Sequence, residues 1–222
     1  MALSLLIAGF WFLCHSRLHI VRVIAGVAKG RRLKSPPARV VRPTTDRVKE
    51  ALFSALGLRV PKARVLDLYA GSGQLGIEAL SRGAASATFV ERDAGALSTI
   101  RENLAGTGFA SRGTVVAGTV ERFLEGIQWA QPFDLVLIDP PFAVGLPTHV
   151  LASLATGDRL GEDALVVVEV SRAVLPLDPP DGFRMTSERR YGDCVLLFLR
   201  PERSARHEGH PIVQPAGDGD RL

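Results

Sequence analysis

Val65-Leu66-Asp67-Leu68-Tyr69-Ala70-Gly71-Ser72-Gly73-Gln74-Leu75-Gly76 joins a short apolar strand to the start of a helix through a glycine-rich turn. Gly71 and Gly73 permit tight bending and close approach of a ligand to the backbone, and Gly76 lets helix and strand pack together. Glu91 closes the next strand, twenty residues after Gly71, where a carboxylate can take both hydroxyls of a ribose. Outward from this turn, strands are expected over 64–69, 87–90, 113–117 and 133–138, and helices over 74–82, 94–104, 120–127 and 146–155. A nearly uniform apolar strand at 164–170 and an antiparallel hairpin over 183–199 follow. The alternation predicts an α/β fold with a mostly parallel, doubly wound sheet and one late antiparallel strand. Ahead of it, Thr45 or Thr44 caps a helix over 46–56 that Gly57 ends, with Val48, Leu52, Ala55 and Leu56 as its apolar stripe.

A second cluster ends the strand at 133–138: Asp139-Pro140-Pro141-Phe142. It brings together a carboxylate, main-chain carbonyls without competing amide donors, and an aromatic face. Such a set suits a planar exocyclic amine: Asp139 and the Pro140 carbonyl accept its two N–H bonds, and Phe142 stacks on the ring. Taken alone, the Gly-x-Gly-x-x-Gly spacing with a distal acid also fits a dinucleotide. Two features favour S-adenosylmethionine. Asp67, at the strand end, suits the cationic amino group of that cofactor and would repel a pyrophosphate. The Asp-Pro-Pro-Phe cluster has no use in hydride transfer, and no separate substrate domain is apparent.

The net charge of +4 is unevenly spread, because residues 17–49 hold ten Lys or Arg against one acid, Asp46. Such a block is the footprint of a polyanionic partner. We therefore read 18–45 as a basic nucleic-acid-binding arm, with Arg22, Lys29, Arg31, Arg32, Lys34 and Arg42 as its contacts, and 46–200 as the catalytic domain. Two cysteines, Cys14 and Cys194, and five scattered histidines make neither a disulfide framework nor a metal site, which fits a reducing cytoplasm. Within the leader 1–17, the apolar piece Ala2–Leu13 is too short to span a bilayer and lacks a basic n-region; we read the leader as an overlong gene start, with the true start nearer Val21 or Val23. No stable membrane association is expected. The polar tail 201–222 is expected to be disordered.

Several of these motifs occur together in one known family. Arg22-Val23-Ile24-Ala25-Gly26, Lys29-Gly30-Arg31, residues 42–53 beginning Arg42-Pro43-Thr44-Thr45-Asp46-Arg47, the 67–76 loop, Leu80-Ser81-Arg82-Gly83-Ala84, Asp139-Pro140-Pro141-Phe142 and Tyr191-Gly192-Asp193 resemble the RsmD family. These are bacterial 16S ribosomal RNA methyltransferases that modify the exocyclic N2 of one guanine. The resemblance covers roughly 22–199 and implies a Rossmann-like class I S-adenosylmethionine-dependent methyltransferase fold. It implies that Asp67, Gly71, Gly73 and Glu91 bind the cofactor and that Asp139, Pro140 and Phe142 meet the base. It also implies that the arm holds 16S ribosomal RNA in a small subunit or its assembly intermediate, and we expect a monomer. One position departs from the pattern: where such enzymes often place an acid against the cofactor adenine, this chain has Ala117-Gly118-Thr119, so the contact falls to main-chain groups or to Thr119. Asp-Pro-Pro-Phe is shared with adenine-N6 methyltransferases of DNA or RNA, which form the competing enzyme class. A non-catalytic RNA-binding assembly factor on the same fold is the competing non-enzyme.

Overall fold

Strand β1 (Arg64–Leu68) is the axis of the molecule, and its last four residues are buried. A strand covered on both faces must be apolar throughout, which accounts for its unbroken aliphatic run apart from Asp67. The computed structural model describes residues 21–36, 45–126, 131–141, 146–156, 159–175 and 178–202. After β1 come α2 (Gln74–Ser81), β2 (Ser86–Glu91), α3 (Ala94–Thr107), β3 (Gly113–Ala117), α4 (Val120–Glu125), β4 (Phe133–Ile138), α5 (Thr148–Ala155) and β5 (Leu160–Ser171). β6 (Phe183–Tyr191) and β7 (Cys194–Pro201) form the closing hairpin, and α1 (Asp46–Leu56) precedes β1. The sheet order is β3-β2-β1-β4-β5-β7-β6, parallel from β3 to β5 and antiparallel at β5–β7 and β7–β6. The sheet therefore has the expected mostly parallel, doubly wound class with a late antiparallel pair.

Two apolar layers flank the sheet. Val65, Phe89, Leu135, Leu137, Val167 and Phe198 face α1, α2, α3 and the N-terminal segment. Leu66, Leu68, Val90, Val136, Ile138 and Val168 face α4 and α5. On α1, the Thr45 hydroxyl accepts from Val48 N at 3.3 Å, and the Gly57 N–H closes the other end on Phe53 O. Its buried stripe includes a charged residue, Lys49, beside Leu52, Phe53 and Leu56.

Some boundaries shift for identifiable reasons. β1 ends at Leu68, and Tyr69 takes φ 62°, a left-handed conformation rare for a residue with a side chain, because the chain must turn at once into the glycine loop. β5 begins at Leu160, which pairs with Phe133 across an irregularity before the regular register resumes at Leu135–Leu165. α3 runs three residues beyond its expected end at 104, to Thr107, where Gly108 caps it with φ 81°. Residues 21–33 form a small hairpin bridged at Arg22–Arg32. The leader 1–17, Thr44, Ile127 and the tail from 203 onward lie outside the described residues.

Candidate active site

Parallel strands fix the height of everything that follows them. Leu68 pairs with Val90 on one side and with Ile138 on the other, and Glu91 pairs with Ala117. The carboxyl ends of β1, β2, β3 and β4 are thus level. From β1 the chain moves outward to β2 and β3 and then crosses back to β4, so the winding reverses between β1 and β4. That reversal opens the crevice in which open α/β sheets bind ligands. Asp139 stands one residue past Ile138, at the height of Tyr69 and on a strand about 4.8 Å from it. Asp139 is half-buried, Pro140 is buried and Pro141 is exposed. Phe142, expected to stack on the base, lies outside the described residues.

The glycine loop is held from below by two acids. Glu91, 4% exposed, accepts from Gly71 N at 2.9 Å through Oε2, and from Arg92 N and Asp93 N at 2.8 and 2.9 Å through Oε1. Three of about four lone-pair positions on the carboxylate are thereby used, which leaves room for one further donor on Oε2. Asp67, 1% exposed, accepts from Gly76 N at 2.9 Å. Burial pushes its pKa up to about 8 against the lowering effect of the Gly76 N–H, with Glu91 adding a smaller rise.

The backbone geometry fits a cofactor. A side chain at Gly71 (φ 57°) would meet only the Tyr69 carbonyl, at 3.9 Å, so the loop presents bare backbone to open space. Gly76 is compact for a different reason: a Cβ there would sit 2.3 Å from the Phe89 ring. Beside the loop, Gln74 Oε1 is buried without a hydrogen-bond partner among the described residues, an acceptor that a bound ligand or water would satisfy. At the end of β3, Thr119 is exposed and caps α4 by accepting from Arg122 N at 3.3 Å. Nearby, Glu121 bonds His149 Nε2 at 3.0 Å, which holds its carboxyl below the usual range. Burial, with a smaller push from Glu121, raises the Tyr69 phenol to about 12.

The basic residues are more dispersed than their sequence clustering suggests. The 21–34 hairpin lies along α2: Ile24 N and Ala25 N donate to Glu78 at 2.7 and 3.0 Å, and Ala28 N donates to Ser81 Oγ at 3.0 Å. Lys29 is therefore carried to the carboxyl end of α2, away from the crevice, while Lys34 returns to the loop at its amino end. Arg22 pairs with Asp46 at 2.9 Å, Lys34 with Glu102 at 2.6 Å, and Arg31 donates to Gly106 O at 3.2 Å. Arg22, Lys29, Arg31, Arg32 and Lys34 are all exposed; Arg42 lies outside the described residues.

Sequence reading alone missed the residues that fasten this hairpin. Glu78 and Lys49 are fully buried, with Lys49 Nζ donating to Arg22 O at 2.6 Å and Glu78 also accepting from Arg82 at 2.8 Å. Asn103 bonds both Lys34 and Ser72. A signal existed: Lys49 falls in register with Leu52, Phe53 and Leu56 on an apolar stripe, and Asn103 with Ala96, Thr99 and Ile100 on a mainly apolar one. Among the described residues, no helix is long and apolar enough to cross a membrane, and no cluster of His, Cys, Asp or Glu is placed to hold a metal.

Comparison with known proteins agrees with this geometry. The family described as conserved hypothetical protein 95 matches residues 21–200. Ribosomal RNA small subunit methyltransferase D of Escherichia coli is 41% identical over 155 residues, covering 70% of this chain and 77% of its own length. The protein of the same name from Haemophilus influenzae is 36% identical over 173 residues, covering 78% of this chain and 89% of its own. The solved structure of "Putative methyltransferase yhhF from Escherichia coli" superposes with a TM-score of 0.71 at 36% identity, covering 83% of this chain and 99% of that one. Its motifs, its sheet order and these relatives agree: the chain belongs to the conserved hypothetical protein 95 family, the RsmD family of methyltransferases.

Proposed function

We propose that the protein transfers the methyl group of S-adenosylmethionine to the exocyclic N2 of a guanine in 16S ribosomal RNA, in the small subunit or an assembly intermediate, as a monomer in the cytoplasm. The observation that carries this reading is the level alignment of β1 and β4, which sets the glycine loop and Asp139-Pro140 on two sides of one crevice. Names of the relatives support ribosomal RNA of the small subunit as the substrate class.

S-adenosylmethionine supplies an electrophilic methyl on a sulfonium. Asp67 is suited to the cofactor's ammonium, the free lone pair of Glu91 to a ribose hydroxyl, and bare backbone at Gly71 to close contact, while Gly73, backed by Ile100, shapes the turn. Main-chain groups around Gly118 or the Thr119 hydroxyl would contact the cofactor's adenine. Asp139 and the Pro140 carbonyl accept the two N–H bonds of the base amine and turn its lone pair toward the methyl carbon, with Phe142 stacking on the ring. The N–C bond forms as the C–S bond breaks, and the electron pair of the latter stays on sulfur. The nitrogen becomes acidic only then, and Asp139 is at hand to take its proton. Catalysis is chiefly orientation, which supplies at most about 7 to 11 kcal/mol. A guanine in a loop is unstacked cheaply, so no large deformation of RNA is needed.

The test is incubation with tritium-labelled cofactor and, in parallel, unmodified small subunits, naked 16S RNA and duplex DNA, followed by mapping of the label. N2-methylguanine in the RNA is expected. Label on adenine N6 would replace the guanine assignment with the competing enzyme class, and absence of transfer to any of the three would leave an RNA-binding factor.

A further inference from the structure

We infer that Asn103 couples the RNA-facing N-terminal segment to the cofactor loop, so that RNA and cofactor tighten each other's binding through this one side chain. The inference rests on the methyltransferase reading above. Asn103 lies on α3, 3% exposed, between two segments far apart in sequence. Its Oδ1 accepts from Lys34 N at 2.8 Å, and its Nδ2 donates to Lys34 O at 3.0 Å and to Ser72 O at 2.9 Å. Both amide protons and the carbonyl are thus engaged. A carboxamide offers a donor and an acceptor side by side, which matches the N–H and the C=O of one residue, Lys34.

On one side, Ser72 is the middle residue of the Gly71-Ser72-Gly73 turn. One helical turn before Asn103, Ile100 reaches within 3.3 Å of where a Gly73 Cβ would stand, so α3 backs the loop at two consecutive points. On the other side, Lys34 is the last cation of the described hairpin, and its ammonium pairs with Glu102, next to Asn103 in sequence, at 2.6 Å. That exposed pair is weak and screened by salt, whereas the buried amide is neither. Phosphates that draw Lys34 into a fixed position also fix its main chain, hence the Asn103 amide, hence the Ser72 carbonyl. Ordering at either end lowers the ordering cost at the other, and the effect is reciprocal by linkage.

The experiment measures the dissociation constant of S-adenosylhomocysteine, the unreactive product, with and without saturating unmodified small subunits. It uses the full chain, Asn103→Asp and Lys34→Pro, alongside thermal unfolding. Asn103→Asp preserves shape but turns the donating nitrogen into an oxygen facing two carbonyls; Lys34→Pro removes both the N–H given to Oδ1 and the ammonium paired with Glu102. In the unaltered protein, subunits are expected to tighten the ligand about fivefold or more. In Asn103→Asp the ratio falls to about one while each ligand still binds alone, and in Lys34→Pro it falls part of the way. The same tightening in all three proteins, or none in the unaltered one, overturns the coupling. Hydrogen exchange on the unaltered protein needs no variant: subunit binding should slow the Gly73 and Gln74 amides, and unchanged rates overturn the coupling equally. Methyl transfer with independent binding defeats the coupling alone, whereas failure of cofactor or RNA to bind defeats the methyltransferase reading itself.

Discussion

At the scale of single residues, Asp67 is where charge and fold compete. Burial favours its neutral form, whereas the Gly76 N–H at the α2 amino end, and a cation above the loop, favour its ionised form. Because its folded pKa of about 8 exceeds the ordinary 3.8, the folded protein keeps a proton that the unfolded chain has lost, so the stability it contributes falls as pH rises from about 4 to 8. Cofactor binding should release that proton below pH 8 and tighten toward pH 8. Calorimetry in buffers of different ionisation enthalpy checks both, and Asp67→Asn should abolish the proton release and weaken binding about tenfold or more while leaving the fold intact. Equal proton release in Asp67→Asn would contradict the assignment. Gly76 makes a different prediction: Gly76→Ala places a methyl against Phe89 and should cost about 1–3 kcal/mol in urea unfolding, partly recovered by Phe89→Leu. The need for Gly76 was legible from spacing alone, because helix and strand must touch there. The three main-chain donors around Glu91 were not, because they depend on the path of the turn after β2.

At the scale of elements, the hairpin over 21–34 is held both by buried apolar residues, Val21, Val23, Ala28 and Leu33, and by polar side chains of the helices beneath it. Glu78→Ala leaves the Ile24 and Ala25 amides without their acceptor, at a cost of about 1–3 kcal/mol, and should release the hairpin. Tryptic cleavage after Lys29 and Arg31 is then expected to accelerate by about tenfold or more, since local opening sets the rate. Unchanged cleavage would mean that Lys49 and Ser81 suffice. The strands and helices of the core were readable because each is a continuous apolar period bounded by Gly, Pro or a cap. The docking of the hairpin was not, because its information lies in Lys49, Glu78 and Asn103, which look like ordinary polar residues until three-dimensional register turns them inward. The extension of β5 back to Leu160 was hidden by the polar Gly161-Glu162-Asp163 piece, which pairing with β4 tolerates across its irregularity.

For the whole molecule, the strand order places the glycine loop and Asp139-Pro140 on one edge, and the basic residues continue from there along α2. Replacing Arg31, Arg32 and Lys34 together by Ala should weaken RNA binding and reduce the slope of log affinity against log salt by about 2 if all three meet phosphates. Because Arg31 and Lys34 also hold α3, a smaller change in slope with the same loss of affinity would assign them to shaping the surface. The parallel alternation foretold the shared edge, whereas the spread of cations over it came only from folding the hairpin back on α2. The most direct test of the account is single-turnover methyl transfer to unmodified small subunits by Asp139→Ala, with cofactor affinity measured on the same preparation. The account predicts transfer reduced by about a thousandfold or more, since orientation of the amine is lost, with cofactor affinity within about threefold of the unaltered protein. Near-normal transfer by Asp139→Ala would contradict it.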